Sequence, residues 1–167
     1  MHSRSGAKQF AGLVAWLILA FAAAAVGAVA SVQAASFYSQ LARPSWAPPP
    51  GVFGPVWSVL YTLMGVAAWL VWRQPQENGQ RHTVPIALFV AQLLVNALWS
   101  WLFFAWHLGG AAFADVLVLL ALIAATITAF WCVRPLAAIL LLPYFAWVGF
   151  ASALTWSVWQ SNPGVLR

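Results

Sequence analysis

Acidic residues are almost absent: Glu77 and Asp115 are the only two in 167 positions, and charged residues of either sign make up 5% of the chain. A soluble domain carries about a quarter charged residues. This chain, with 64% hydrophobic residues, therefore cannot clothe itself in a hydrated surface. The bilayer must be its solvent. A lone cysteine, Cys132, excludes an intramolecular disulfide. Glu77 and Asp115 fall on opposite sides of the expected bundle, which excludes a paired-carboxylate mechanism. No His, Cys or carboxylate group has metal-ligand spacing: His2 and His82 lie outside the apolar runs, and His107 lies at a boundary. Gly-rich phosphate loops and a nucleophile elbow are also missing. The seven basic residues (Arg4, Lys8, Arg43, Arg73, Arg81, Arg134 and Arg167) stand singly between apolar runs. That pattern excludes the clustered basic face of a nucleic-acid partner.

What the chain does have is apolar length. A membrane-spanning helix needs about 20 mostly apolar residues, and five windows qualify: 10–32, 52–72, 84–106, 111–133 and 136–159. None alternates polar and apolar residues as a membrane strand would. The expected fold is an all-α integral membrane protein, one domain over 1–167, built as a five-helix transmembrane bundle. The first window has the flavour of a signal peptide, but its apolar run exceeds the roughly 7–15 residues of a signal core, so it is expected to remain as a helix. Its Ala23, Gly27 and Ser31 recur every four residues, a seam suited to close packing. Arg4, Lys8, Arg73, Arg81 and Arg134 fall on one side, against Arg43 and Arg167 on the other. The positive-inside rule then places the N-terminus in the cytoplasm.

The connection 33–51 is the longest between windows. It leads into the stretch RPSWAPPPGVFGPVWSVLY (43–61), which holds five of the ten prolines. Each proline ring fixes φ and removes a donor, so Pro48-Pro49-Pro50 favours a stiff extended segment, here called the strap. Most of the twelve tryptophans suit the interfacial belt. Trp99 and Trp147 do not. Trp99 lies about 10 Å inside its window and Trp147 about 16 Å inside its own, at 1.5 Å per residue, and deep indole N–H groups need partners. Gln92, Asn96, Trp99 and Phe103 follow one another at helical spacing, as do Tyr144, Trp147, Ala151 and Leu154. Amides in hydrocarbon are costly unless paired. Gln92 and Asn96 therefore either face a ligand pocket or hydrogen-bond between helices. Asp115, near a helix N-terminus, is open to a functional reading or a dipole-stabilised structural one. Pro143 should kink or loosen the last helix.

Four blocks, PSWAPPPGVFGPVWSVLYTLMG (44–65), AQLLVNALWSWLFFA (91–105), AFADVLVLL (112–120) and PYFAWVGFASAL (143–154), resemble the TspO/MBR family of tryptophan-rich sensory and translocator proteins. The resemblance covers about residues 37–160. It implies a five-helix bundle, commonly a homodimer, in a bacterial cell membrane. The ligands it implies are porphyrins such as protoporphyrin IX, sterol-like lipids and synthetic benzodiazepines, none attached covalently and none requiring a metal. By motif it marks Tyr38, Trp57, Asn96 and Trp147. The residues above and the strap add Trp46, Tyr61, Gln92, Trp99, Phe103 and Ala151 as candidate ligand contacts. The resemblance also implies light-dependent porphyrin breakdown as an alternative activity, with Trp57 and Trp147 as donors. Three departures stand out. Leu154-Thr155-Trp156 and Gln160 replace the tyrosine and basic residue of the proposed sterol motif. Trp99-Ser100-Trp101 replaces a Trp-x-Pro, so the third membrane helix should run straighter. Ala111 replaces an aromatic at the pocket rim.

Overall fold

The computed structural model describes residues 6–75 and 82–167. Of the residues discussed above, Arg4 and Arg81 of the charge count, with His2 and Glu77, lie outside the described residues. The described chain is helical: α1 Gly6–Ala30, α2 Ala34–Gln40, α3 Phe53–Trp72, α4 Thr83–Ser100, α5 Gly109–Val133 and α6 Pro135–Ser161. All except α2 belong to spans long and apolar enough to cross a membrane. A 3-10 turn at Pro50–Val52 opens the second span and a π turn at Trp101–Ala105 closes the third. The protein is a multi-pass five-helix membrane bundle.

Chain order is not spatial order. α1 packs on α3 and α4, α3 on α6, α6 on α5, and α5 on α4. The five spans thus close a ring in the order α1–α3–α6–α5–α4. Its interior is filled by Met64, Phe89, Phe130, Leu141 and Tyr144, all nearly inaccessible to solvent. Small residues permit the tightest approach: Gly65 of α3 lies against the backbone of Leu17, and Gly27 of α1 lies under Ser100 of α4. Within the expected seam, Gly27 is buried and Ala23 half-buried. Ser31 turns back to donate to the Gly27 carbonyl at 2.9 Å. α1 stops at Ala30, two residues short of the expected end. α6 continues unbroken through Pro143.

Two features depart from the expected loop and helix. The connection between the first two spans is not all loop. Residues 34–40 contain no proline and wind into α2, with Ser36 and Phe37 both donating to the Gln33 carbonyl. Extended backbone begins only afterwards: Leu41 has ψ 144° and Pro49 ψ 151°. The third span lacks the proline, and its last turn is not α-helical. It ends in the π turn, where the Trp106 N–H reaches the Trp101 carbonyl at 2.9 Å and the Leu108 N–H reaches that of Leu102 at 2.8 Å. Aromatic packing explains the widening. Trp101 donates its indole N–H to the Val26 carbonyl of α1, while Phe103 and Phe104 both meet Phe37 of α2 edge-on. Adjacent side chains diverge less around a π turn than around an α turn, so one turn serves all three contacts.

A Cβ on Gly65 would stand 3.1 Å from the Leu17 Cα and 2.8 Å from its Cδ2. Gly65→Ala is therefore expected to cost about 1–3 kcal/mol and to lower the thermal midpoint in detergent by several degrees. Gly149→Ala, where a Cβ meets nothing within 4 Å, is expected to leave the midpoint unchanged or slightly raised. Equal effects of the two changes would contradict the α1–α3 contact.

Candidate functional site

Membrane helices satisfy their own backbone, so polar side chains in the interior must find each other. Here four do. The Tyr61 hydroxyl of α3 donates to Asn96 Oδ1 of α4 at 2.8 Å. Asn96 Nδ2 donates to the Tyr144 oxygen of α6 at 2.7 Å, and that hydroxyl donates to Gln92 Oε1 at 2.7 Å. All four residues are buried, and the chain of bonds crosses the middle of the ring. The two amides are thus partnered between helices. Gln92 Nε2 is not: it is buried and has no partner among the described residues.

Aromatic rings fill the zone between this chain and the strap. Trp57 lies 5.6 Å from Tyr61 and 6.2 Å from Tyr144, centroid to centroid. Trp147 lies 6.0 Å from Phe53 and 5.5 Å from Phe150. The strap joins the same group, with Tyr38 edge-on to Phe53 at 5.4 Å and Trp46 edge-on to Phe150 at 5.7 Å. Trp99 stacks on Phe103 at 5.4 Å, nearly parallel, and packs against both the central core and the cluster under the strap. The Arg43 guanidinium sits 4.8 Å over the Tyr38 ring. Burial pushes the Tyr38 phenol above its ordinary pKa, with Arg43 only partly countering it. The hydroxyl therefore stays protonated and donates to the Pro48 carbonyl.

Of the residues expected at a site, Tyr61, Gln92 and Asn96 meet in the polar chain. Trp57 touches that chain through Tyr61, and Tyr38, Trp46 and Trp147 join through Phe53 and Phe150. Trp99 and Phe103 form a stacked pair beside them. Ala151 lies half-buried one turn beyond Trp147 on the same helix face. Asp115, in the second turn of α5, is half-buried, and its Oδ2 has no partner among the described residues. Sequence reasoning placed Tyr144 on the α6 face without its role as the hub of the polar chain. It did not single out Phe37, Phe53 or Phe150. Their signal was aromatic content beside the prolines, which does not distinguish a site from packing.

The indole N–H groups of both Trp99 and Trp147 are buried without a partner among the described residues. Trp69 and Trp101, by contrast, donate to the carbonyls of Gln9 and Val26. Two hollows of about 410 and 420 Å³ lie elsewhere. One is lined by Phe113, Leu117, Ser152, Ala153 and Trp156; the other is lined by strap residues including Arg43 and Pro44. Neither is walled by Trp57, Trp99 or Trp147. No group of three metal-ligating side chains occurs among the described residues.

Five spans closed around a tyrosine–amide chain, with an aromatic strap across one end, define a polytopic membrane bundle with a ring-lined interior. The chain belongs to the TspO/MBR family, whose sequence profile matches residues 14–160. It is 41% identical over 128 residues to the translocator protein of Homo sapiens, covering 77% of this chain and 76% of the human one. Protein CrtK of Rhodobacter capsulatus is 40% identical over 143 residues, 85% of this chain and 87% of its own. The tryptophan-rich protein TspO of Chlorobaculum tepidum is 36% identical over 161 residues, 93% and 99% respectively.

The polar chain predicts an order of costs. Tyr144→Phe strands the Asn96 Nδ2 donor and the Gln92 acceptor together and is expected to cost about 1–3 kcal/mol. Tyr61→Phe strands only one acceptor lone pair and is expected to cost about 0.5–1 kcal/mol. Thermal unfolding in one detergent compares them, and the reverse order would contradict the hub role of Tyr144.

Proposed function

We propose that this protein is a membrane receptor, acting as sensor or transporter, for flat and largely apolar ligands of the porphyrin class, held non-covalently among the rings beneath the strap. One observation carries the reading: Trp99 Nε1, Trp147 Nε1 and Gln92 Nε2 are buried donors without acceptors among the described residues. A buried donor left unmade costs about 1–3 kcal/mol, and each such group calls for an explanation. A bound molecule with acceptor atoms on an aromatic frame would relieve that cost. It would also exchange ring–ring contacts within the protein for contacts with its own faces, each worth about 0.5–1.5 kcal/mol. Protoporphyrin IX fits this description in flatness and acceptors. The name of the human relative supports movement of a cargo as one form of the function. Sterol recognition draws less support, because Thr155 and Gln160 stand where the proposed motif needs other chemistry.

Protoporphyrin IX titrated into the purified protein is expected to quench tryptophan fluorescence saturably. Trp147→Phe and Trp99→Phe each remove one N–H and keep a ring, so each is expected to weaken binding about tenfold, the worth of one buried hydrogen bond. Unchanged affinity in the double variant would sink the reading.

A second reading is light-dependent breakdown of the bound porphyrin by dioxygen, with the excited ring taking an electron from Trp57 or Trp147 and passing it to dioxygen, the oxidant that opens the macrocycle. It is favoured by the closeness of Trp57 to Tyr61 and Tyr144, phenols able to refill an oxidised indole. Under illumination the Soret band of bound porphyrin is then expected to decay severalfold more slowly in Trp57→Phe/Trp147→Phe. Decay at the wild-type rate, measured at equal occupancy, would reject this reading.

A further inference from the structure

The strap is rich in residues that cannot donate. Pro44, Pro48, Pro49 and Pro50 have no N–H. Within it, the Leu41, Ala47 and Val52 amides and the Tyr38 hydroxyl bond only to carbonyls of the same connection. Its contacts with the bundle are otherwise apolar, ring against ring through Trp46, Tyr38 and Phe37 and aliphatic through Leu41 and Ala47. Such contacts tolerate sliding. One side chain from the bundle breaks the pattern. Asn162, just past the end of α6, accepts from the Ala42 N–H through Oδ1 at 2.9 Å. It donates from Nδ2 to the Ala42 carbonyl at 2.9 Å and to the Val158 carbonyl of its own helix at 2.7 Å. A carboxamide here imitates a peptide group and pairs with both polar atoms of one strap residue. Among the described residues, these are the hydrogen bonds that tie the strap to the membrane-spanning helices.

Asn162 is itself well anchored. Its backbone carbonyl accepts from Val165 and Leu166, and the Leu166 side chain is buried in the same cluster as Leu41 and Tyr38. The Arg167 N–H donates to the His107 carbonyl at 3.0 Å, and the His107 ring stacks 4.3 Å from Phe37. The segment after α6 thus joins the strap to the connection before α5, while α6 also carries Tyr144 and Trp147.

We propose that Asn162 is a latch on the strap, and that a ligand enters or leaves the aromatic cluster only when the Asn162–Ala42 pair opens. The second clause rests on the porphyrin reading above; the latch itself does not. Tyr38 and Trp46 of the strap pack edge-on against Phe53 and Phe150, so lifting the strap frees rings of the cluster beneath it. The strap is covalently continuous with α1 through Gln33 and with α3 through Pro50–Val52, which leaves its middle, at Ala42, as the point where it can rise. A latch that binds only the closed state shifts the open–closed balance by its own differential strength and leaves the ligand contacts untouched.

Hydrogen–deuterium exchange in lipid nanodiscs tests the latch without a ligand. Asn162→Ala is expected to speed exchange of the Ala42 amide and the surrounding strap about ten- to thirtyfold, the value of two hydrogen bonds, with α3 exchange unchanged. Asn162→Asp keeps the acceptor but loses both donations, and is expected to fall between. Unaltered strap exchange in both variants, at native thermal midpoint, would overturn the proposal. The gating clause is tested by stopped-flow mixing with protoporphyrin IX. Association and dissociation rates are both expected to rise about tenfold in Asn162→Ala, with affinity nearly constant. In a Cys132→Ser/Ala42→Cys/Asn162→Cys variant, a short bis-maleimide is expected to slow both rates. Unchanged rates in an opened or cross-linked strap would overturn the gating clause. If the unsubstituted protein binds no porphyrin, the porphyrin reading fails and the exchange measurement alone decides the latch.

Discussion

The interior of this bundle depends on a constraint imposed by lipid: a polar group that leaves water must find its partner inside the protein. Tyr61, Asn96, Tyr144 and Gln92 meet that demand by donating in sequence across the middle of the ring. The bonds fix more than energy. Helix-to-helix bonds in membranes are individually modest, averaging about 0.6 kcal/mol, but each has one register in which it can form. Leucine-on-alanine contact between apolar helices allows many registers. The polar chain selects one rotation for α3, α4 and α6, and with it the direction in which Trp57, Trp99 and Trp147 point.

That selection explains why the aromatic residues gather at one end. With Tyr61 and Tyr144 committed to the amides, Trp57 one turn away on α3 is carried against both phenols, and Trp147 one turn along α6 is carried against Phe53. The strap then adds Tyr38 and Trp46 from above. Donors at Trp99, Trp147 and Gln92 stay unmatched among the described residues. On the function proposed above, a bound guest would supply the acceptors they lack.

Much of the architecture could be read from the chain before folding was considered. The five spans follow from hydrophobic length, and observed ends differ from expected ones by a few residues. The extended backbone leading to the proline run, 47–49, follows from proline chemistry. The site was legible in part. The depth of Trp99 and Trp147, and the placing of Gln92 and Asn96 on one face, came from helical period alone. The helix α2 and the π turn were not legible. Seven residues of weak preference form α2 where Phe37 and Tyr38 find rings to pack on, and the third span ends in a π turn where Trp101 reaches α1 while Phe103 and Phe104 both meet Phe37.

Life in lipid, five crossings and the depth of the amides and indoles can be read from the chain, because hydropathy and backbone restriction act over a few neighbouring residues. The ring order α1–α3–α6–α5–α4, the bonding of Asn96 to two tyrosines, and the pairing of Ala42 with Asn162, 120 positions away, arise only in the folded bundle. Those outcomes depend on which faces meet, and apolar helices of similar hydrophobicity carry no local label for their neighbours. The few polar side chains supply that label, and it can be read only once their partners are in place.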